Sequence, residues 1–247
     1  MLKTNILGVE VACLDKVELL ATVEGWVAGQ EKRTLSYINA HCLNISSQDA
    51  EYLKILNQLD LVYCDGIGVV WAGRLLHGVK LYKVTGREWI FDLCAYLERV
   101  EARIYILAGR RDVAELAGER LREQFPALNI VGTGNGYFPP ERNQAVLAAI
   151  EVSKPDILFV GMGVPAQEKW IAAHRGALNV PMCWTVGALF DFVAGIEPGV
   201  PRWLDRLALE WLWRLMVNPR EKWRRYLVGN PVFLCRILGA KFRAMLE

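Results

Sequence analysis

The chain has 247 residues, 53% of them hydrophobic, and its 29 Lys/Arg against 27 Asp/Glu leave a formal charge of +2. That is enough apolar material for one large or two small packed domains, and it excludes a disordered chain or one whose overall charge is built for nucleic acid. Met1-Leu-Lys-Thr-Asn opens no apolar leader, and no eighteen-residue window escapes a charge or a Gly/Pro break, so neither a secretory signal nor a spanning helix is expected.

Ile6 to Ala12 alternates apolar and small residues like a short strand, and Asp15 caps an amphipathic run from Lys16 to about Ala28. Arg33 to Ile38 is a second strand. It ends in Asn39-Ala-His41, polar side chains suited either to the rim of a cleft or to an ordinary turn, and a helix is expected from about Ser47 to Leu56.

The apolar run from Asp60 then delivers Asp65 directly onto Gly66 and Gly68. In an open parallel sheet the carboxyl ends of the strands face the ligand crevice, and glycines there let the backbone approach a substrate before the next helix starts. Asp65 is therefore a cleft carboxylate or, alternatively, the N-cap of the helix that runs from about Val69 to Leu76.

A polar passage, Lys83-Val-Thr-Gly-Arg-Glu88, precedes a helix through about Glu98. Next come the strand Arg103 to Gly109, a helix from Asp112 to Gln124, the strand Asn129 to Thr133, a helix near Glu141 to Val152 and the strand Asp156 to Val160. Apolar strands alternating with helical stretches over short connections predict βαβ units and a doubly wound, mainly parallel sheet. The glycines at 132 to 136 invite a dinucleotide reading, but Pro139 and Pro140 come before the helix and the spacing is not that of a pyrophosphate turn.

Gly161-Met-Gly-Val-Pro-Ala-Gln-Glu-Lys-Trp170 carries a buried strand into Gly163, with Pro165 suited to a first helical turn. Gln167 and Lys169 lie at that helix start, where free amides attract phosphate or where polar residues are merely exposed. The strand Met182 to Val186 runs into Gly187, and Asp191 follows amid apolar neighbours, either an internal hydrogen-bonding partner or a ligand for a sugar or ribose.

Pro198 to Pro201 marks a boundary between a body, 1–197, and a helical appendage, 198–247. Trp203, Leu207, Trp211 and Leu215 recur every four residues on one helix face until Asn218-Pro219, and Arg214 projects towards that side. A second basic helix, Glu221 to Val228, and a third after Pro231 complete the chain. From Pro201 onward ten Lys/Arg face four Asp/Glu, a balance of +6, whereas the remainder, nineteen against twenty-three, sits at −4. Four of the nine tryptophans fall in the same segment, which suggests contact with something anionic and greasy. The six cysteines lie far apart, with no Cys-x-x-Cys pair and only three histidines, so reduced core residues of a cytosolic protein are expected and no metal site.

Taken together, Asn39-Ala, Asp65-Gly-Ile-Gly, Val84-Thr-Gly86, Gly136-Tyr-Phe138, Gly163-x-Pro-x-Gln-Glu-Lys-Trp170, Gly187-x-x-Phe-Asp191 and Leu209-Glu-Trp211 make the chain resemble the WecG/TagA/CpsF glycosyltransferases, from about Ile6 to the final helices. The resemblance implies a Rossmann-like body with a C-terminal helical appendage. It also implies transfer of an N-acetylmannosamine-type sugar from a UDP donor to an undecaprenyl-diphosphate-linked N-acetylglucosamine. Three positions depart from the family pattern: Lys83 where an Arg is usual, Arg87-Glu88 after the glycine, and Tyr37 where a small hydroxyl residue is common.

Inverting transfer needs a base, charge stabilisation for departing UDP and exclusion of water. The expected catalytic set is Asp65 as base with Asn39, Lys83 and Arg214; Tyr137, Gly163, Gln167, Gly187, Asp191 and Arg224 are expected to bind substrate. No Asp-x-Asp pair sits on a plausible loop, so a metal-independent enzyme without cofactor is expected, peripheral on the inner face of the membrane, with monomer and homo-oligomer both open. Two rivals are a nicotinamide-dependent oxidoreductase using the turn at 132 to 136, and a non-catalytic membrane-associated module.

Overall fold

The structure is a computed structural model and describes residues 1–30, 32–110, 112–201, 203–204 and 207–246. Lys3–Ile6 (β1) and Val9–Ala12 (β2) pair antiparallel across Leu7 and Gly8, both at positive φ, 51° and 91°. The single strand expected from Ile6 is thus a hairpin, because two left-handed residues reverse the chain inside an apolar run.

Six strands form the main sheet: Arg33–Ile38 (β3), Leu61–Cys64 (β4), Ile104–Ala108 (β5), Ile130–Gly134 (β6), Ile157–Gly161 (β7) and Met182–Thr185 (β8). Every pairing is parallel and the order is β4-β3-β8-β7-β5-β6, the doubly wound arrangement expected. Several strands are continuous apolar runs because helices cover both faces. Lys16–Gly29 (α1), Gly86–Arg99 (α5), Val113–Gln124 (α6) and Leu189–Val193 (α9) cover one face, where Trp184 of β8 stacks on Trp89 at 4.0 Å and meets Tyr63 of β4 edge-on.

On the other face lie Ala40–Ser46 (α2), Ala50–Gln58 (α3), Ile67–His77 (α4), Asn143–Ser153 (α7) and Ala166–His174 (α8). The helix expected from Ser47 to Leu56 is there as Ala50–Gln58, but a further helix, Ala40–Ser46, precedes it where a rim or turn was expected. Asn39 caps α2, and Asp49 caps α3 by accepting from the Tyr52 N–H at 3.0 Å.

The C-terminal segment holds Glu210–Val217 (α10), Pro219–Trp223 (α11), a π-helical stretch Arg224–Val228, and Gly229–Leu246 (α12). The helix face expected from Trp203 to Leu215 does not run unbroken, since Ala208 sits at φ 60°; Arg202, Asp205 and Arg206 lie outside the described residues. Pro231 starts no new helix. It falls in the first turn of α12, where a missing N–H is tolerated.

Phe233 and Ile237 of α12 are buried with Ile38, Cys42, Leu43 and Val69. The Asn44 amide donates to the Gly229 carbonyl at 2.7 Å, and Arg236 donates to the Asn44 carbonyl at 3.0 Å and to the Ser47 hydroxyl. These contacts set the last helix over the carboxyl ends of β3 and β4.

Candidate active site

Asp65 leaves the end of β4 with its backbone N–H donating to the Ile38 carbonyl at 2.8 Å, which prolongs the β3–β4 ladder by one rung. It does not cap α4: the N-cap of that helix is Gly66, without any side-chain cap hydrogen bond. The carboxyl instead faces Asn39. The Asn39 Oδ1 accepts the N–H groups of His41 and Cys42 at 3.0 and 3.2 Å, so its amide nitrogen is left to hydrogen-bond Asp65. A Cβ on Gly66 would stand 3.2 Å from that of Asn39, so glycine lets the two strand ends close up.

Burial and then the nearby Glu210 push the Asp65 carboxyl from 3.8 up to about 7, although Arg214, Arg225 and the Asn39 hydrogen bond favour its charged form. A carboxyl so tuned can take a proton near neutrality. His41, on the same cleft, goes the other way: burial, Arg225 and Lys222 lower it to about 4, which leaves a neutral imidazole and a weaker base.

The cleft beside Asp65 has a volume of about 810 Å³. Its polar side holds Asn39, His41, Lys83, Arg87, Arg214 and Arg225, and its apolar side is formed by α4 and α12 through Trp71, Leu75, Phe233, Leu234 and Ile237. Lys83 comes alongside because the Val84 N–H donates to the Cys64 carbonyl at 2.9 Å. Around Glu210 of α10 the cations converge: Arg87 Nη2 at 2.6 Å, Arg214 Nε and Nη2 at 3.0 and 2.9 Å, and Lys83 Nζ at 3.9 Å. Glu197 takes Arg214 Nη1 at 3.2 Å and Lys222 Nζ at 3.6 Å.

A second group of residues gathers beyond the carboxyl ends of β6 and β7. The half-exposed Tyr137 ring has the Arg110 guanidinium 6.0 Å from its centroid, and its hydroxyl would be 3.4 Å from a Cβ on Gly163. Burial and Glu197 raise the Asp191 carboxyl, while Lys222 and Arg110 favour its charged form, and burial followed by Asp191 raises the Tyr137 hydroxyl. Tyr137, Gly163 and Asp191 therefore lie together, and Lys222, which lines the cleft, also acts on Asp191.

Three expected substrate-binding residues, Gln167, Gly187 and Arg224, join neither the cleft nor this group. Gln167 is fully buried; its Oε1 accepts the Gly187 N–H at 3.0 Å and its amide donates to Glu168 at 2.7 Å. Sequence marks the helix start but not that its second residue turns inward. Gln167 supports the Gly187 turn, whose positive φ of 57° and close approach to the Tyr37 hydroxyl leave no room for a side chain. Lys169 of the same helix pairs with Asp49 and Glu51 on α3, at 2.9 and 2.5 Å.

Arg224 is exposed, its guanidinium 5.3 Å from the Trp223 ring centroid, and Arg225 lines the cleft instead. A π turn takes one more residue than an α turn, so a face extrapolated at the α period slips by one position. The glycines at 132 to 136 serve packing: Gly132 and Gly134 lie within β6 against Tyr105, and a Cβ on Gly136 would be 2.7 Å from the Gly161 carbonyl oxygen. They do not form a strand-to-helix turn, which removes the basis of the nicotinamide reading.

The residues that sequence reasoning did not single out as site residues are Arg87, Arg110, Glu210 and Arg225. Glu210 sits in the Leu209-Glu-Trp211 piece and Arg87 is one of the departures from the family pattern; Arg110 and Arg225 carry no local signal.

Fold and cleft together define a Rossmann-like protein with a large cleft at the carboxyl edge of its sheet. The chain matches the sequence profile of the Glycosyl transferase WecG/TagA/CpsF family over residues 4–246, and it belongs to that family; it is a glycosyltransferase. Relatives from Staphylococcus aureus strains MRSA252 and NCTC 8325 / PS 47 are 28% identical over 244 residues, 97% of this chain and 93% of theirs. Both are named N-acetylglucosaminyldiphosphoundecaprenol N-acetyl-beta-D-mannosaminyltransferase.

Proposed function

We propose that the enzyme transfers an N-acetylmannosamine-type sugar, with inversion and without a metal ion, from a UDP donor to undecaprenyl-diphosphate-linked N-acetylglucosamine. The observation that carries this reading is Asp65, poised near neutrality between an apolar trough and a row of cations. Asp65 takes the proton of an acceptor hydroxyl as that oxygen bonds to the donor's anomeric carbon. The bond from that carbon to the phosphate oxygen breaks, and UDP leaves with the electron pair. Asn39 orients the carboxyl. Lys83, Arg87, Arg214 and Arg225 offset the diphosphate charge in the half-buried cleft.

Tyr137, Gly163 and Asp191 form the donor side in this reading, with Arg110 beside the Tyr137 ring. The lipid of the acceptor lies along Trp71, Leu75, Leu234 and Ile237. The segment 198–247 acts as an appendage that completes the site and docks on the membrane. Trp203, Leu207, Leu238 and Phe242 are exposed on it among its basic residues, and aromatic and cationic groups favour an anionic interface. Among the described residues no helix is long and apolar enough to cross a membrane.

Mass spectrometry of products from a panel of UDP-sugars with a polyprenyl-diphosphate acceptor tests the proposal. A mass gain of one N-acetylhexosamine on the acceptor, abolished by Asp65→Asn, is expected. UDP release without a glycosylated lipid contradicts it.

A further inference from the structure

Glu210 stands apart from every group to which the reaction assigns a role. It is an anion set among the cations that a diphosphate would need, and it belongs to α10 while two of its partners, Lys83 and Arg87, belong to the body. Its Oε1 alone receives three hydrogen bonds: from Arg87 Nη2 at 2.6 Å, Arg214 Nη2 at 2.9 Å and Arg214 Nε at 3.0 Å. The carboxylate and its partners are each less than one third exposed. Such charge-assisted bonds fix a guanidinium in direction as well as in place.

We propose that Glu210 is the positioning residue of this enzyme: it fastens α10 to the body and holds Arg87 and Arg214 together at the cleft mouth beside Asp65. This rests on the assignment of Asp65 as the base. Without Glu210 the two guanidiniums repel, and α10 loses its ionic tie to α5.

The charge has a second effect. Asp65 is faced by Asn39 at the cap of α2, by Tyr37 from β3, by Tyr63 from β4, by Cys42 and Cys64, by Arg214 and Glu210 from α10 and by Arg225 from the π stretch. Glu210 itself is faced by Lys83, Arg87, Arg214, Tyr226 and Asp65. Of these neighbours Glu210 opposes ionisation of Asp65 most strongly, after burial itself, and Arg214 favours it. Removing the Glu210 charge therefore lowers the Asp65 pKa, and removing the Arg214 charge raises it.

The test uses the full chain, with kcat/KM for a polyprenyl-diphosphate-N-acetylglucosamine acceptor measured from pH 5 to 9. Hydrogen exchange of residues 210–228 is followed in parallel. Glu210→Gln is expected to lower the plateau value about 10- to 100-fold and to move the acid limb to lower pH by about half a unit to one unit. It also speeds exchange in α10. Arg214→Met moves the limb to higher pH. Glu210→Asp, which keeps the charge on a shorter arm, returns the limb to its wild-type position while recovering only part of the rate.

Simple opening of the cleft to water would move the limb to lower pH in both Glu210→Gln and Arg214→Met, and that result overturns the proposal. So does a Glu210→Gln protein with unchanged limb and unchanged exchange. Full activity in Asp65→Asn would overturn the assignment of the base and with it the effect on the pH limb. Faster exchange of α10 in Glu210→Gln would then still support the fastening role.

Discussion

Replacing Asp65 by asparagine separates its charge from its shape, and the structure gives the change opposite signs for stability and for activity. The carboxyl is held at about 7 against an ordinary 3.8, because burial comes first and Glu210 second among the causes. A raised acid pKa means that the native protein binds a proton which the unfolded chain has already lost, so stability falls as pH rises from about 4 to about 7. Three pKa units correspond to about 4 kcal/mol. The side chain keeps partial contact with cleft water, so asparagine is expected to recover about 1 to 3 kcal/mol at pH 8, and almost nothing at pH 4. For a chain of this size that is a rise in Tm of a few degrees, read by calorimetry at both pH values. Turnover should meanwhile drop by about two to four orders of magnitude, the range for losing a general base. A lower Tm at pH 8 would refute the electrostatic reasoning and favour a structural role for the carboxylate; turnover within a few-fold of the native protein would refute the base.

Arg225→Ala should lower acceptor turnover by roughly tenfold or more through loss of a cleft cation, while Arg224→Ala leaves turnover in detergent within about twofold; equal losses would mean that the π stretch is in another register in solution. Gln167→Ala strips the Gly187 N–H of its buried partner and should cost about 1 to 3 kcal/mol in chemical denaturation. A change in UDP affinity with no loss of stability would return that side chain to the donor site. Phe233→Ala, a truncation in the core that α12 shares with β3 and α2, should cost about 3 kcal/mol. If it costs less than about 0.5 kcal/mol, that helix is not held on the body as described.

The parallel sheet was legible because its strands are apolar runs with short connections, and the Asp65–Gly66 and Asn39–Ala40 junctions could be placed at strand ends on that basis alone. Four things were not legible, each for a physical reason. Leu7 in a left-handed turn looks like one more apolar strand residue, so the first hairpin was hidden. Gln167 faces inward because Ser36 and Thr185 of neighbouring strands build a polar pocket around Glu168, with Ser36 Oγ donating to Glu168 at 2.9 Å and Thr185 Oγ1 to Ser36 at 2.6 Å; residues 132 and 149 positions apart cannot be paired by local pattern. The cluster on Glu210 likewise joins α5 and α10 across 123 positions. The basic, Trp-rich composition of the last fifty residues was visible, but not that Phe233 and Ile237 would be buried against Ile38 and Cys42. Cutting the chain after Gly195 therefore bares an apolar face, and loss of activity in such a fragment carries little information.

The central claim is that Asp65 takes the proton from the acceptor hydroxyl in a single displacement at the donor's anomeric carbon. The most direct measurement is the anomeric configuration of the new linkage by NMR, on product made from a UDP-α-N-acetylmannosamine donor and a short-chain polyprenyl-diphosphate-N-acetylglucosamine acceptor. The same reaction is run with Asp65→Asn. A β linkage from the native enzyme, with transfer lost in the variant, is the predicted result; an α linkage, or a β linkage formed equally fast without the carboxylate, contradicts the account.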